Sequence, residues 1–311
     1  MIETRDILAF LEKQQIEFVF DGDIDGGIET YCSLKELLTL KDMGTACISF
    51  ARNPSEDIVT SLFQFKRLLL VTKDQPNYIY GCNVIKTKNP HRTFFLIIES
   101  FFGDGEINNC PEKSCIKTNI IGNSFCIGAF SYIGANASIG DNVTIGNNVS
   151  IEKDVIIGNN VWIESGVRIG TWGFGRYLNP DKTSTMAPHL GGIRIGNNTF
   201  IGANTIIARG TLSDTIICDD VLIDAGCYIA HNVIVNKRTI ITGFVLVAGS
   251  AVVGEDVWLS PGSIINSNVT VGDRAFVGMG SMVTKNIHED MYAFGTPAKE
   301  ICRNNDKKYK I

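Results

Sequence analysis

Apolar residues in the second two-thirds of the chain recur with a period that is neither helical nor alternating. Isoleucine occupies positions 121, 127, 133, 139, 145, 151, 157, 163 and 169, always six apart, and glycine follows seven of these nine. Four places after the first eight stand Phe125, Ser131, Ala137, Val143, Val149, Val155, Val161 and Val167. The register resumes at Ile195, Ile201 and Ile207 and slips by four residues across Ala208–Ile216. It then runs on from Ile217 to Val283, giving 24 hexapeptides in all. A short strand and a glycine-permitted turn, repeated three times, make one triangular coil, so the pattern predicts a parallel β-helix. Each inward aliphatic residue then stacks on its equivalent three hexapeptides later. About eight coils are expected, forming a prism roughly 40 Å long at ~4.8 Å per rung. Such an array is stabilised between neighbours and needs capped ends.

Residues 1–104 follow a different rule. Thr4-Arg5-Asp6 opens a helix with Ile7, Leu8 and Leu11 on one face, and Ser33 with Glu36 forms a capping box for a second. Pro54-Ser55 starts a third helix, and His91–Phe102 reads as a fourth. Strand-like runs fall at Phe18–Phe20, Ala46–Phe50, Leu68–Val71 and Asn83–Ile85. The expected organisation is an α/β domain over 1–104, a mainly β prism over 105–287 and a capping tail over 288–311.

Breaks in the six-residue rhythm draw attention to chemistry. Residues 170–194 must leave the prism, and they carry Trp172, Gly173, Phe174, Gly175, Arg176 and His189. A long excursion on a rigid scaffold reads either as a surface loop or as a binding element. The slip ARGTLSDT is a second, smaller protrusion. His231, two places after the inward Ile229, belongs at an outer corner, where it is a solvated residue or a general base. Asp224 follows inward Ile223 and is expected to orient that imidazole. Gly249, three hexapeptides beyond His231, is expected one coil above with an exposed amide, suited to an oxyanion.

Composition narrows the classes. The 311 residues carry 28 Lys+Arg and 33 Asp+Glu, a net charge of −5, which argues against a protein that coats nucleic acid. No apolar run is long enough for a membrane span, and Met1–Gln15 lacks a signal-peptide core, so a cytoplasmic location is expected. The nine cysteines show no pairing rhythm. Cys110 and Cys115 are separated by four residues with no second half-site, so reduced thiols are expected and no metal.

The hexapeptide array resembles the acyltransferases of the left-handed β-helix superfamily. More closely, GFG at 173–175, PHLGGIRIGNNTFIGANTIIARGTLSDT at 188–215 and IAHNV at 229–233 resemble the UDP-3-O-acylglucosamine N-acyltransferases of lipid A synthesis. So do CSLKEL at 32–37, ISFARNP at 48–54 and VIKTKNPHRTFF at 84–95. The resemblance implies His231 as catalytic base, Asp224 as its acidic partner and Gly249 as oxyanion donor. It implies substrate contacts at Phe50, Asn53, Gly173, Phe174, Gly175, His189 and Asn232. Acyl-donor contacts fall at Gly249, Ser250 and Lys285. It also implies a homotrimer with sites between prisms, and an acyl-CoA or acyl-carrier-protein co-substrate rather than a resident cofactor.

Three departures shift the expected substrate. Glu56 stands where the family places an aromatic beside its uridine site, Asn268 where it has a second histidine, and its helical carrier-binding extension is missing. The ending MVTKNI…MYAFGTPAKEI is similar to that of acyl-CoA-dependent sugar-nucleotide acyltransferases, and Arg303, Lys307, Lys308 and Lys310 form a basic tail. The favoured expectation is therefore N-acylation of a nucleotide-linked amino sugar, such as a dTDP-amino-dideoxyhexose, from a short acyl-CoA. The alternatives are the UDP-3-O-acylglucosamine reaction with an acyl carrier protein, and a non-catalytic scaffold.

Overall fold

The six-residue period is realised as three parallel sheets, one per face of a triangular column. One face runs from Cys126–Ile127 and another from Cys115–Ile116; the third starts at Ile120–Ile121. They hold ten, nine and eight strands respectively. The computed structural model describes residues 2–23, 26–39, 46–65, 67–73, 81–102 and 114–302. The chain divides into two units, Met1–Gly105 and Glu106–Ile311.

In the second unit most rungs pair at a sequence spacing of three hexapeptides, as in Ile127 with Ile145 and Ile133 with Ile151. Across the long excursion Ile163 pairs with Ile201, and across the short slip Ile201 pairs with Ile223. Both breaks are absorbed outside the ladder, so the column continues unbroken. Inward isoleucines and valines form one core: Ile133, Ile145, Ile163, Ile201, Ile223, Ile241 and Val277 are wholly buried. Burying each such side chain contributes about 1.5–3 kcal/mol, which explains why the period tolerates so few exceptions.

The column departs from the eight coils expected. Cys115–Ile116 pairs with Tyr132–Ile133 and adds a rung below the first hexapeptide. Met291–Phe294 extends the ten-stranded face above Phe276–Val277, then folds back antiparallel onto Lys299–Cys302. Two extended residues suffice for a rung, so pairing continues where the sequence signature does not. The excursion is also more ordered than a loop: Arg176–Leu178 and Ser184–Met186 form an antiparallel hairpin.

The turns at one edge of the column explain its Asn and Asp content. Asn142, Asn160, Asn198, Asp220, Arg238, Asp256, Arg274 and Asp290 all adopt positive φ near 55–61°. This is the left-handed region that Asn and Asp enter most readily after glycine. Their side chains link rung to rung: Asn142 Nδ2 donates to Asn160 Oδ1 at 3.0 Å and Asn160 Nδ2 to Asn198 Oδ1 at 3.0 Å. Higher up the ladder is ionic, with Arg238 Nε donating to Asp256 Oδ1 at 2.7 Å and Arg274 Nε to Asp290 Oδ1 at 2.8 Å.

The first unit is a five-stranded sheet ordered Phe18–Asp21, Asn83–Thr87, Leu68–Thr72, Cys47–Ala51 and Thr30–Tyr31. Only the first pair is antiparallel. Helices α1 (Thr4–Lys13), α2 (Leu34–Thr39), α3 (Glu56–Leu62) and α4 (Pro90–Phe102) accompany it. Ile7 and Leu11 of α1 are buried with Ile48, Leu69, Ile85 and Ile97. Cys110 and the basic tail lie outside the described residues, as does the side chain of Glu36, the second half of the expected capping box. Among the described residues no helix is long and apolar enough to cross a membrane.

Candidate active site

Both breaks in the rhythm open at the same edge of the column, the one between the nine- and eight-stranded faces. The long excursion leaves after Arg168–Thr171 and returns at Ile193–Ile195; the short slip lies between Ile206–Ala208 and Thr215–Ile217. His231 follows Tyr228–Ile229 at this edge, and Gly249, Ser267 and Lys285 repeat its position on the successive coils above. Among the described residues both departures from the repeat within the column thus fall on the edge that carries His231.

His231 is half-buried and held by a network that selects the tautomer of its neutral ring. The Asn232 side-chain amide is fixed by backbone groups of known polarity: its Oδ1 accepts from Thr211 N at 3.1 Å, and its Nδ2 donates to Ser213 O at 2.9 Å. His231 Nδ1 lies 3.1 Å from that same Oδ1 and 3.5 Å from Thr211 Oγ1. An oxygen already assigned as acceptor requires a donor opposite it, so Nδ1 carries a proton, and in the neutral imidazole the lone pair is on Nε2. Asn232 itself sits at φ 61°, with its backbone N–H donating to Thr215 Oγ1 at 2.9 Å. The short slip thus supplies the support for the imidazole.

Two glycines enclose the ring. A methyl group on Gly249 would lie 2.7 Å from His231 Cε1 and Nε2, and one on Gly173 would lie 2.7 Å from its Cδ2. Neither position has room for a side chain. The Gly249 carbonyl accepts from Asn268 N at 3.1 Å, while its own amide donates to no group among the described residues. At the other edges several matching amides are capped from the next coil, Asn123 N by Asp141 Oδ1 at 2.6 Å and Ala129 N by Asn147 Oδ1 at 2.7 Å. Ser267, one coil above, makes no such bond to Gly249, whose N–H is left uncapped at the residue that packs against His231 Nε2.

Within one chain Asp224 stands at a different edge from His231. It follows Leu222–Ile223 on the ten-stranded face, one full face before His231, and its Oδ1 accepts from Ala225 N at 2.7 Å. Nearness along a coil is not nearness in space, because each hexapeptide turns a corner. Within the chain the orienting group is Asn232, with Thr211 behind it. Sequence reasoning assigned Asn232 to substrate; the adjacency of the two residues at a left-handed corner was the available signal.

Arg209 was also missed. It is buried, donates from Nε to Gly191 O at 2.7 Å, and approaches Asp154 Oδ2 at 3.6 Å. A guanidinium there fastens the returning end of the excursion to the coil below. Arg194 Nε and the Gly192 amide, both bonded to the Asp214 carboxylate at 2.7 and 2.8 Å, tie the excursion to the slip.

The other expected site residues divide between the two units. His189 lies in the second unit, buried, with its ring 5.3 Å from that of His231. Phe174 is exposed and Gly175 O receives Ala187 N at 2.8 Å. Ser250 and Lys285 are exposed on the His231 edge. Phe50 lies in the first unit within an aromatic cluster, 4.9 Å from Phe94 and 5.5 Å from His91, with Asn53 exposed just beyond its strand. Glu56 begins α3. Among the described residues no three His, Cys, Asp or Glu side chains gather as a metal-ligand set.

Comparison with known proteins agrees with the architecture. Residues 120–153 and 250–285 match the bacterial transferase hexapeptide (six repeats), and residues 192–230 match the hexapeptide repeat of succinyl-transferase. The UDP-3-O-acylglucosamine N-acyltransferase of Bordetella parapertussis is 38% identical over 124 residues, covering 38% of this chain and 34% of that protein. The same-named protein of Shewanella denitrificans is 48% identical over 82 residues, 26% of this chain and 24% of that one. A probable UDP-3-O-acylglucosamine N-acyltransferase 2, mitochondrial, of Arabidopsis thaliana is 36% identical over 135 residues, 43% and 44%. The chain spans about a third of the length of the first of these relatives. Among solved structures, the UDP-N-acetylglucosamine O-acyltransferase of Moraxella catarrhalis superposes with a TM-score of 0.57 at 24% identity, covering 63% of this chain and 74% of that one. The UDP-N-acetylglucosamine acyltransferase of Campylobacter jejuni gives 0.54 at 23%, covering 61% and 73%. The fold is a left-handed parallel β-helix built from hexapeptide repeats.

Proposed function

We propose that the protein is an N-acyltransferase that moves an acyl group from a thioester to the amino group of a nucleotide-linked glucosamine, with UDP-3-O-acylglucosamine as acceptor. The observation that carries this reading is the His231 Nε2 lone pair standing beside the uncapped Gly249 amide. The amine nitrogen attacks the thioester carbonyl carbon as Nε2 removes its proton, a contribution of roughly 10²–10⁴ in rate. The resulting oxyanion receives the Gly249 N–H, worth on the order of 10²–10³. Collapse breaks the C–S bond, and the departing thiolate takes the proton from the imidazolium. Asn232 keeps the imidazole in the productive tautomer throughout. A half-buried site limits competition from water at each hydrogen bond.

The relatives' names favour the UDP-3-O-acylglucosamine acceptor over the dTDP-amino-dideoxyhexose preferred from sequence departures alone. The donor in this reading is a long-chain acyl carrier protein or acyl-CoA, and a homotrimer in the cytoplasm is part of the same proposal. The test is turnover by wild type and His231→Ala with UDP-3-O-acylglucosamine, acyl carrier protein thioesters and acyl-CoA. A loss on the order of 10²-fold or larger is expected in the variant. Unchanged N-acylation by His231→Ala refutes the assigned base, and turnover only with dTDP-linked amines refutes the acceptor.

A further inference from the structure

The first unit holds a group of side chains that acyl transfer does not use. Three thiols share one small core: Cys47 and Cys82 are buried in it with Leu37, Leu62 and Leu70, and Cys32 packs against it from a half-exposed position. Cys32 Sγ lies 3.4 Å from Cys47 Sγ.

Backbone register brings these two sulfurs together. The edge strand Thr30–Tyr31 runs parallel to Cys47–Ala51, with Thr30 opposite Cys47 and Tyr31 opposite Ile48. Alternate residues of a strand share a face, so Cys32 projects on the side of Thr30 and meets Cys47 diagonally. The ladder continues through it: Cys32 N donates to Ile48 O at 3.1 Å, and Ser49 Oγ donates to Cys32 O at 2.8 Å. Anchored at its amide and its carbonyl, Cys32 owes the contact to the sheet and not to one chance rotamer. A disulfide needs about 2 Å between sulfurs, so the pair closes by roughly 1.4 Å, within reach of rotation about the two Cα–Cβ bonds.

The two thiols are unequal. Cys47 is 2% exposed, and the hydrogen bond with Cys32, with burial behind it, holds its thiol protonated well above the ordinary range. Cys32 has solvent on one side, so a small oxidant meets it first.

We propose that Cys32 and Cys47 are a reversible redox pair, which hydrogen peroxide converts to a disulfide that fastens the edge strand to the sheet and which small thiols release. Cys32 Sγ, as thiolate, attacks one peroxide oxygen; the O–O bond breaks and hydroxide leaves, giving a sulfenic acid. That hydroxide recovers the proton Cys32 gave to solvent. Cys47 Sγ then attacks Cys32 Sγ, the S–O bond breaks, and the departing hydroxide takes the Cys47 proton. Two thiols lose two electrons and two protons, and the peroxide becomes two waters. The bridge joins residues 15 apart and ties down the segment that carries α2. Both thiols lie in the first unit and His231 in the second, so this proposal stands whether or not the acyl acceptor is correct.

The experiment treats the full chain with hydrogen peroxide, blocks the remaining thiols with iodoacetamide, and maps bridged peptides by mass spectrometry without reduction. Expected is a Cys32–Cys47 bridge that dithiothreitol reverses and that Cys32→Ser abolishes. Amide hydrogen exchange at residues 30–32 should slow at least about tenfold in the oxidised wild type and stay unchanged in peroxide-treated Cys32→Ser. A bridge from Cys47 to Cys82, or Cys32 passing to sulfinic acid with no bridge, overturns the pairing. Unchanged exchange in a bridged chain overturns the fastening of the strand. If Cys32→Ser does not fold, the wild-type map and its reversal by dithiothreitol decide the pairing.

Discussion

Gly249→Ala is the sharpest perturbation the site offers, because the space it fills and the atom it covers are the same. The new methyl would sit 2.7 Å from His231 Nε2 and Cε1. That is well inside the roughly 3.5–4.0 Å of ordinary carbon contacts. Backbone strain does not enter, since Gly249 is absent from the positive-φ glycines of the column. The ring must therefore move, and Gly173 bars retreat on the other side. A swing of about 1 Å breaks the 3.1 Å contact with Asn232 and misdirects Nε2, and displacements of that size cost on the order of 10² in rate. The alanine also crowds the approach to the amide that receives the oxyanion. We expect kcat to fall at least about 10²-fold. The melting temperature stays within a few degrees, because the inward core is untouched. Steady-state rates of Gly249→Ala, with Ser267→Ala one coil above as background, make the measurement. Activity within about fivefold of wild type in a folded Gly249→Ala refutes the geometry of base and oxyanion donor together.

Other outcomes follow from the same contacts. Asn232→Ala leaves Thr211 N and His231 Nδ1 without their shared acceptor, so kcat falls at least about tenfold; an unshifted pH–rate profile in this variant argues against tautomer control. Arg209→Met strips a donor from the buried Gly191 carbonyl, at about 1–3 kcal/mol, and limited proteolysis should then cut within 171–192 before the column. The Asp256 carboxyl is held below the usual range by Arg238, and that of Asp219 by the Asn197 amide and Lys237. A depressed folded value stabilises above the unfolded value near 4 and is lost as pH falls through the folded one, so melting temperatures should decline below about pH 4 and less steeply in Asp256→Asn. Burial pushes the Cys82 thiol up to about 12, and a hydrogen bond with Cys32 raises Cys47 further. Maleimide at pH 8 should therefore label the exposed Cys115 and Cys302 and spare these two.

Much of the architecture is legible in the order of residues, because a stacked column demands the same inward residue at each rung. Ile127, Ile145 and Ile163 announce themselves in this way. The rungs at Cys115 and Met291 escape the pattern, since strand pairing needs only extended backbone. His231 and Gly249 stand out through their separation by one whole coil, which the geometry preserves. For Asp224 a single hexapeptide along the coil means a different edge of the same chain, so spacing alone does not place it beside His231. The role of Asn232 depends on which way a side-chain amide faces, and no period encodes that.

One consequence lies in the row His231, Gly249, Ser267 and Lys285. Each step is one coil, so groups on that edge stand on fixed graduations of ~4.8 Å, about 14 Å from first to last. A point substitution changes what a mark presents but cannot slide it. Relocation along the edge requires gain or loss of an entire coil. The column is thus a scale with detents: variation in reach comes in whole clicks, and anything finer must be supplied by side-chain length or by the excursion.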